Sequence, residues 1–216
     1  MDILKIMKAR HSVRQYTEQK IETEKREILD SLVKELNEES GLHMQIIYDE
    51  PKCFNSIMAH YGKFSGCGNY IAVVGKKENN LDEKAGYYGE QIVLKAQEIG
   101  LNTCWVALTH GKSAAKIDKG EKLCILISLG YGINQGVAHK SKKAAEICNC
   151  ADNMPDWFAK GIEAAMLAPT AINQQKFRFE LDGEKVSAVS TGGFYSKIDL
   201  GIVKYHFEAA SGHKVN

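Results

Sequence analysis

Two short stretches carry residue types that could grip a phosphorylated ligand with a polar ring. Arg10-His11-Ser12-Val13-Arg14 offers two guanidiniums, an imidazole and a hydroxyl within five residues. Such a cluster suits a phosphate, because arginine gives forked, charge-assisted hydrogen bonds and serine adds a neutral donor. By composition alone, a basic pentamer at a helix end also fits a solvated surface turn. The second stretch is Ala168-Pro169-Thr170-Ala171-Ile172-Asn173-Gln174-Gln175. Pro169 fixes a turn, and Thr170, Asn173 and Gln175 are neutral donors and acceptors suited to a ring with both kinds of edge atom. A helix-to-strand turn in which Asn173 satisfies local backbone groups is the plainer alternative.

Taken together, the helix, R-H-S-V-R-x-Y opening and the A-P-T-A-I-N-Q-Q loop resemble the signature elements of the FMN-dependent nitroreductase family, the loop being similar to its A-P-S-x-x-N-x-Q. The resemblance implies FMN as cofactor, with Arg10, His11, Ser12 and Arg14 at its phosphate. It places Pro169, Thr170, Ala171, Asn173 and Gln175 beside the isoalloxazine. Gly100-Leu101-Asn102-Thr103-Cys104-Trp105-Val106-Ala107 resembles the family's G-L-x-T-x-W segment, which implies that Trp105, Val106 and Ala107 pass near flavin N5 and supply backbone N–H groups. Lys140, Lys142 and Lys143 occupy the basic run that in the family joins the phosphate site. Lysine can serve there as a point charge, while a solvated surface suits at least one of the three.

The implied function is an FMN oxidoreductase taking hydride from NADH or NADPH and reducing a small acceptor such as a nitroaromatic or a quinone. No catalytic side chain is assigned, because the flavin carries the chemistry and the protein orients it. A non-catalytic flavin-binding protein for storage or sensing is the alternative of a different class.

Other constellations are decoys. Gly111-Lys112-Ser113 ends like a phosphate-binding loop, but Val106 stands where the earlier glycine is required. Gly130-Tyr131-Gly132 lacks the third glycine of a dinucleotide fingerprint. His110, His139, His206 and His213 show no HExxH spacing, and Cys148 and Cys150 lack two further ligands at suitable spacing, so no metal is expected.

The elements that must position these residues follow from periodicity. Asp2 to Arg10 reads as a short amphipathic helix, and Thr23 opens a second with Ile28, Leu29, Leu32, Val33 and Leu36 on its apolar side, closed by Gly41. Met44–Tyr48 and Tyr70–Gly75 read as strands, Tyr87–Ile99 as a buried helix closed by Gly100, and Thr103–Leu108 and Leu123–Gly130 as further strands. Trp157–Leu167 is a helix, Lys176–Leu181 and Val186–Ser190 a hairpin around Asp182-Gly183, and Leu200–Ala210 a last helix. The order suits an α+β fold, a nitroreductase-like three-layer α/β/α arrangement.

The second part repeats the first in outline, with Asp49 answering Asp182 and Gly89 and Gly100 answering Gly201 and Gly212. The expectation is an internal tandem duplication, with residues 1–150 as the more complete half and 151–216 as a truncated half carrying the ring loop. Typical nitroreductases complete the flavin site with a second subunit and carry the A-P-S loop early in the chain. Around Glu35–Gly41 no such loop occurs, so the halves are expected to complement in cis. This resembles the nitroreductase branch whose single chain imitates the dimer, and it favours a monomer over a homodimer.

Bulk properties set the frame. Lysine plus arginine (28) nearly balances aspartate plus glutamate (27) over 216 residues, which removes a broad drive toward nucleic acid or anionic membrane. Charges at Asp2, Lys5, Lys8 and Arg10 precede any long apolar run, so no signal peptide or spanning helix is expected and the protein reads as cytoplasmic. The six cysteines are scattered through a chain large enough to fold without disulfides, so reduced thiols are expected.

Overall fold

Runs of β-branched residues alternate along the chain with segments of helical periodicity, and each becomes an element. The computed structural model describes residues 2–150 and 152–216. In chain order the elements are α1 (Ile3–Ala9), α2 (Thr23–Ser40), β1 (Gln45–Ile47), α3 (Ile57–Tyr61), β2 (Asn69–Lys76), α4 (Leu81–Glu98), β3 (Asn102–Val106) and β4 (Glu121–Gly130). They continue with α5 (Ala144–Ile147), α6 (Asp156–Leu167), a 3-10 turn (Ala171–Asn173), β5 (Phe177–Asp182), β6 (Lys185–Ser190) and α7 (Ser196–Ser211). The expected mixture of helix and sheet is present. Among the described residues, no helix is long and apolar enough to cross a membrane.

Several local expectations need correction. Helix α2 does open at Thr23, with Glu22 at the N-cap and no side-chain cap bond. Ile28, expected on the apolar face, is 44% exposed. Helix α4 begins at Leu81 rather than near Tyr87, and Asp82 and Glu83 in its first turn complement the positive end of the helix dipole. Helices α3 and α5 were not anticipated, being too short for periodicity to register. Each is set by its cap: the Ser56 side chain accepts the Ala59 N–H at 3.2 Å, and the Glu146 carboxylate accepts the Lys143 N–H at 2.9 Å.

Contacts group the chain into two compact units, Arg10–Leu81 with Ile92–Val137, and Met1–Ala9 with Asp82–Gln91 and Ala138–Asn216. This grouping differs from a division at residue 150, because α1 and the first part of α4 associate with the C-terminal segment. No single cut in the chain reproduces that grouping.

The unit containing Arg10–Leu81 is built on a four-stranded sheet in the order β1-β2-β4-β3, all neighbours antiparallel. The register pairs Ile71 with Ile127 and Trp105 with Ile127, with a bulge between Val73 and Val74. Tyr70, Ala72, Val74, Cys104, Val106 and Leu126 face a common core with Phe54, Phe64 and Cys67. Strand β2 is buried from Asn69 to Gly75, which explains its continuous rather than alternating apolar pattern.

In the other unit, α6 and α7 pack together and β5 and β6 form a separate two-stranded sheet. Phe158, Phe179 and Phe207 fill the core between them, Phe179 stacking on Phe207 with centroids 4.9 Å apart. Gly161 makes this possible, since a Cβ there would lie 2.4 Å from the Phe207 ring. His206 and Glu90 are both fully buried and 2.9 Å apart, and the second ring nitrogen of His206 donates to the Ala164 carbonyl at 2.9 Å. The carbonyl requires a proton on His206 Nδ1, and the Glu90 contact gives the other buried ring nitrogen a partner.

Candidate functional site

Strand β3 is an edge strand whose outer side is occupied by the Arg10–Arg14 segment. Ser12 pairs in parallel with Thr103, and the Val13 N–H donates to the Thr103 carbonyl at 3.0 Å. Buried Val13 and Tyr16 anchor the segment, and the Tyr16 hydroxyl donates to the Val13 carbonyl at 2.7 Å with Ser128 Oγ also at 2.7 Å. Burial drives the Tyr16 phenol well above its ordinary range, so it stays neutral. With period-two alternation, anchoring Val13 inward turns Ser12 and Arg14 to the other side of the segment. Arg14 is exposed, Ser12 and His11 are half-buried, and Arg10 is only 3% exposed.

The structure therefore brings the basic segment against the segment containing Trp105. Cys104, next in the strand, reports the local field: burial pushes its thiol up, while Arg14, the Ser12 hydroxyl and Arg10 pull it down. Val106 is buried, and Trp105 and Ala107 are half-buried. A third strip closes over the segment from the other side. A Cβ on Gly136 would lie 2.8 Å from His11 Cβ and 3.0 Å from the Ser12 carbonyl, and one on Gly132 would lie 2.8 Å from Val13 Cγ1. Glycine is required at Gly136 doubly, since its φ is 69°.

The A-P-T loop and the lysine run lie in the other unit and are knitted to each other. Lys140 O accepts from Asn173 Nδ2 at 3.0 Å and from Gln175 Nε2 at 2.9 Å. Lys142 donates its N–H to Gln175 Oε1 and its ammonium to the Gln175 carbonyl, both at 2.8 Å. Gln175 Nε2 also donates to Asn173 Oδ1 at 3.0 Å. The side chains of Asn173 and Gln175 thus tie the loop to the lysine run, Asn173 through a carbonyl distant in the chain rather than local backbone groups. Thr170 Oγ1 accepts the Gln175 N–H at 3.1 Å and retains its own hydrogen to donate.

Pro169 is buried, and beyond it Ile172, Asn173 and Gln175 take φ values of 48°, 54° and 47°. Left-handed backbone is costly for a β-branched residue such as Ile172, whose side chain is 87% exposed. Lys140 and Lys143 have exposed side chains, whereas Lys142 is partly buried by its two bonds.

Two groupings escaped the sequence because their members are far apart in the chain. His43, Asp118 and Glu121 bring ligand-type atoms within 4.8 Å of one another, but His43 already bonds Glu121 at 2.9 Å and Lys116 pairs with Asp118 at 3.1 Å. A cavity of about 360 Å³ is lined by Glu18, Phe54, His60 and Cys67 among others, and burial pushes the Cys67 thiol up to about 12. The six cysteines are free thiols, four of them buried.

The chain thus combines a mixed helix-and-sheet fold with a basic segment on the edge of an antiparallel sheet. Residues 2–211 match the family described as "Putative TM nitroreductase", and the chain belongs to that family. It is similar to the crystal structure of a "putative nitroreductase" from Thermotoga maritima, at 23% identity over 97% of this chain and 83% of that one, with a TM-score of 0.71. A "putative nitroreductase in complex with FMN" from Desulfovibrio desulfuricans is 17% identical over 72% of this chain and 99% of that one, with a TM-score of 0.56. A "putative NADH oxidase" from Clostridium acetobutylicum is 19% identical over 66% and 96%, with a TM-score of 0.51. At these identities the structural likeness establishes the fold. No curated protein matches the chain.

Proposed function

We propose that this chain is an FMN-dependent oxidoreductase that takes electrons from NADH or NADPH and reduces a small nitroaromatic or quinone-like acceptor. The observation that carries the reading is the pairing of Ser12 with Thr103, which sets two arginines and a hydroxyl beside the Trp105 segment. That donor set fits a phosphate monoester: guanidiniums bind its oxygens in forks, and a hydroxyl adds a neutral donor. FMN in the Desulfovibrio relative and the NADH oxidase description of the Clostridium relative support the cofactor and the donor.

Arg10, Ser12 and Arg14 would hold the phosphate, with His11 and the Lys140 ammonium adding donors. The Thr170 hydroxyl and the backbone around Pro169 and Ala171 would meet the ring edge, and backbone N–H groups of Trp105, Val106 and Ala107 its N5 side. Asn173, Gln175 and Lys142 keep the loop in its left-handed course. When bound, FMN supplies the two-electron transfer. The chain's share is to orient, to donate hydrogen bonds, and to offer positive charge where reduced flavin becomes anionic.

The same reading makes residues 1–150 and 151–216 two unequal copies of one ancestral half and the protein a cytoplasmic monomer. Mixing an Arg10→Ala/Arg14→Ala chain with an Asn173→Ala chain tests that arrangement, since restored FMN binding would require sites shared between chains. Steady-state oxidation of NADH or NADPH with an added quinone tests the activity. A protein that binds FMN but does not oxidise either donor would be a flavin carrier instead.

A further inference from the structure

Asp199 is a buried carboxyl group with no part in the cofactor contacts just assigned. It stands in the first turn of α7 and is 5% exposed. Its oxygens accept the Ala171 N–H at 2.9 and 3.2 Å and Gln174 Nε2 at 2.7 Å. Gln174 Nε2 also donates to the Phe194 carbonyl at 2.6 Å. Both amide hydrogens therefore meet acceptors, and the reversed amide would point its oxygen at a carboxylate and a carbonyl. Gly193 lies close against the same amide, a Cβ there falling 2.3 Å from Gln174 Oε1.

Ala171 and Gln174 bracket Ile172 and Asn173, two of the left-handed residues of the loop. Backbone of this kind persists only where its surroundings over-determine it. Lys140 and Lys142 hold the loop through Asn173 and Gln175, and Asp199 holds its other side. A carboxylate gives bonds about twice as strong as a neutral acceptor, so it is the dominant constraint on that side.

We propose that Asp199 is a positioning residue that sets the ring-facing course of the Pro169–Gln175 loop and thereby tunes flavin affinity and reduction potential. This rests on the flavin reading of that loop. Because the carboxyl acts through Ala171 and Gln174, its loss moves the ring contacts and leaves the phosphate contacts of Arg10 and Arg14 alone.

The test measures FMN and riboflavin affinities by fluorescence quenching, and the potential of the bound flavin, for wild type, Asp199→Ala, Asp199→Asn and Gln174→Ala. Asp199→Ala should weaken both flavins equally, on the order of ten-fold, and shift the potential. Asp199→Asn should fall between, since its oxygen can still accept the Ala171 N–H while its amide opposes that of Gln174. If Asp199→Ala fails to fold, Asp199→Asn and Gln174→Ala decide by the same two readings. Wild-type affinities and potential in the folded variants, or a loss confined to FMN, would overturn the role. Failure of wild type to bind either flavin would instead bring down the underlying flavin reading, and this role with it.

Discussion

The Val13 N–H donates to the Thr103 carbonyl at 3.0 Å, which joins residues 90 positions apart and lays the Arg10–Arg14 segment along the free edge of β3. The bond covers a sheet edge that would otherwise stay open, and it presents the arginines beside Trp105.

Arg10→Ala and Arg14→Ala should each weaken FMN more than riboflavin, by about 1.5–3 kcal/mol for one charge-assisted contact. The two should differ in stability. Arg14 is exposed, so its loss should leave the denaturant midpoint unchanged, whereas buried Arg10 should lower it. Equal weakening of both flavins would make the arginines purely structural.

Asn173→Ala removes the bond to the Lys140 carbonyl at 3.0 Å and the acceptor for Gln175 at 3.0 Å. The loop should then lose its left-handed course, and FMN and riboflavin should weaken alike. Thr170→Ala should do the same by removing the acceptor of the Gln175 N–H. Titrations with the two flavins check this, and an unchanged spectrum and affinity in both variants would remove the loop from the ring.

How far these features were legible beforehand depended on their range. Gly41 and Gly212 announced the ends of α2 and α7, and both take the left-handed backbone that stops a helix. Asp182-Gly183 marked the β5-β6 turn, and the dense run to Gly130 marked a buried strand, which proved central in the sheet. The short helices α3 and α5 depend on single caps and left no periodic trace. Nothing in the sequence foretold left-handed backbone at Ile172, because a β-branched residue ordinarily avoids it. The clasp of Asp199 on Ala171 and Gln174 was equally hidden, since it is tertiary. Asn173 and Gln175 are legible as polar loop residues, but their partners lie in the Lys140–Lys142 run, which the family resemblance had placed at the phosphate.

Gly86 and Gly201 hold α4 and α7 in close contact within one unit. A Cβ on Gly86 would sit 2.0 Å from the Ile198 carbonyl oxygen, and one on Gly201 would sit 2.0 Å from the Glu83 carbonyl oxygen. Both obstacles are backbone and cannot rotate aside. Gly86→Ala and Gly201→Ala should each destabilise by about 1–3 kcal/mol or more through overpacking. Urea denaturation measures this, and an unchanged midpoint in either variant would contradict the close approach.

Stability should also carry a signature of Asp199. Burial raises its carboxyl from 3.8 to about 6, against the opposing effects of Gln174 and the Ala171 N–H. The folded state thus binds this proton more tightly than the unfolded chain. The resulting contribution is fully present below about pH 4 and is lost as pH rises through about 6, with an upper size of about 3 kcal/mol. Urea unfolding of wild type and Asp199→Asn across pH 4 to 7 isolates it: the difference between the two should change over that window. A constant difference would contradict the raised value.

The central claim is tested most directly by titrating the purified protein with FMN and following flavin fluorescence. Saturable quenching, with riboflavin bound more weakly than FMN and the preference reduced in Arg14→Ala, is the predicted result. Absence of quenching at FMN concentrations well into the micromolar range, in protein that remains folded, would contradict the flavin assignment outright.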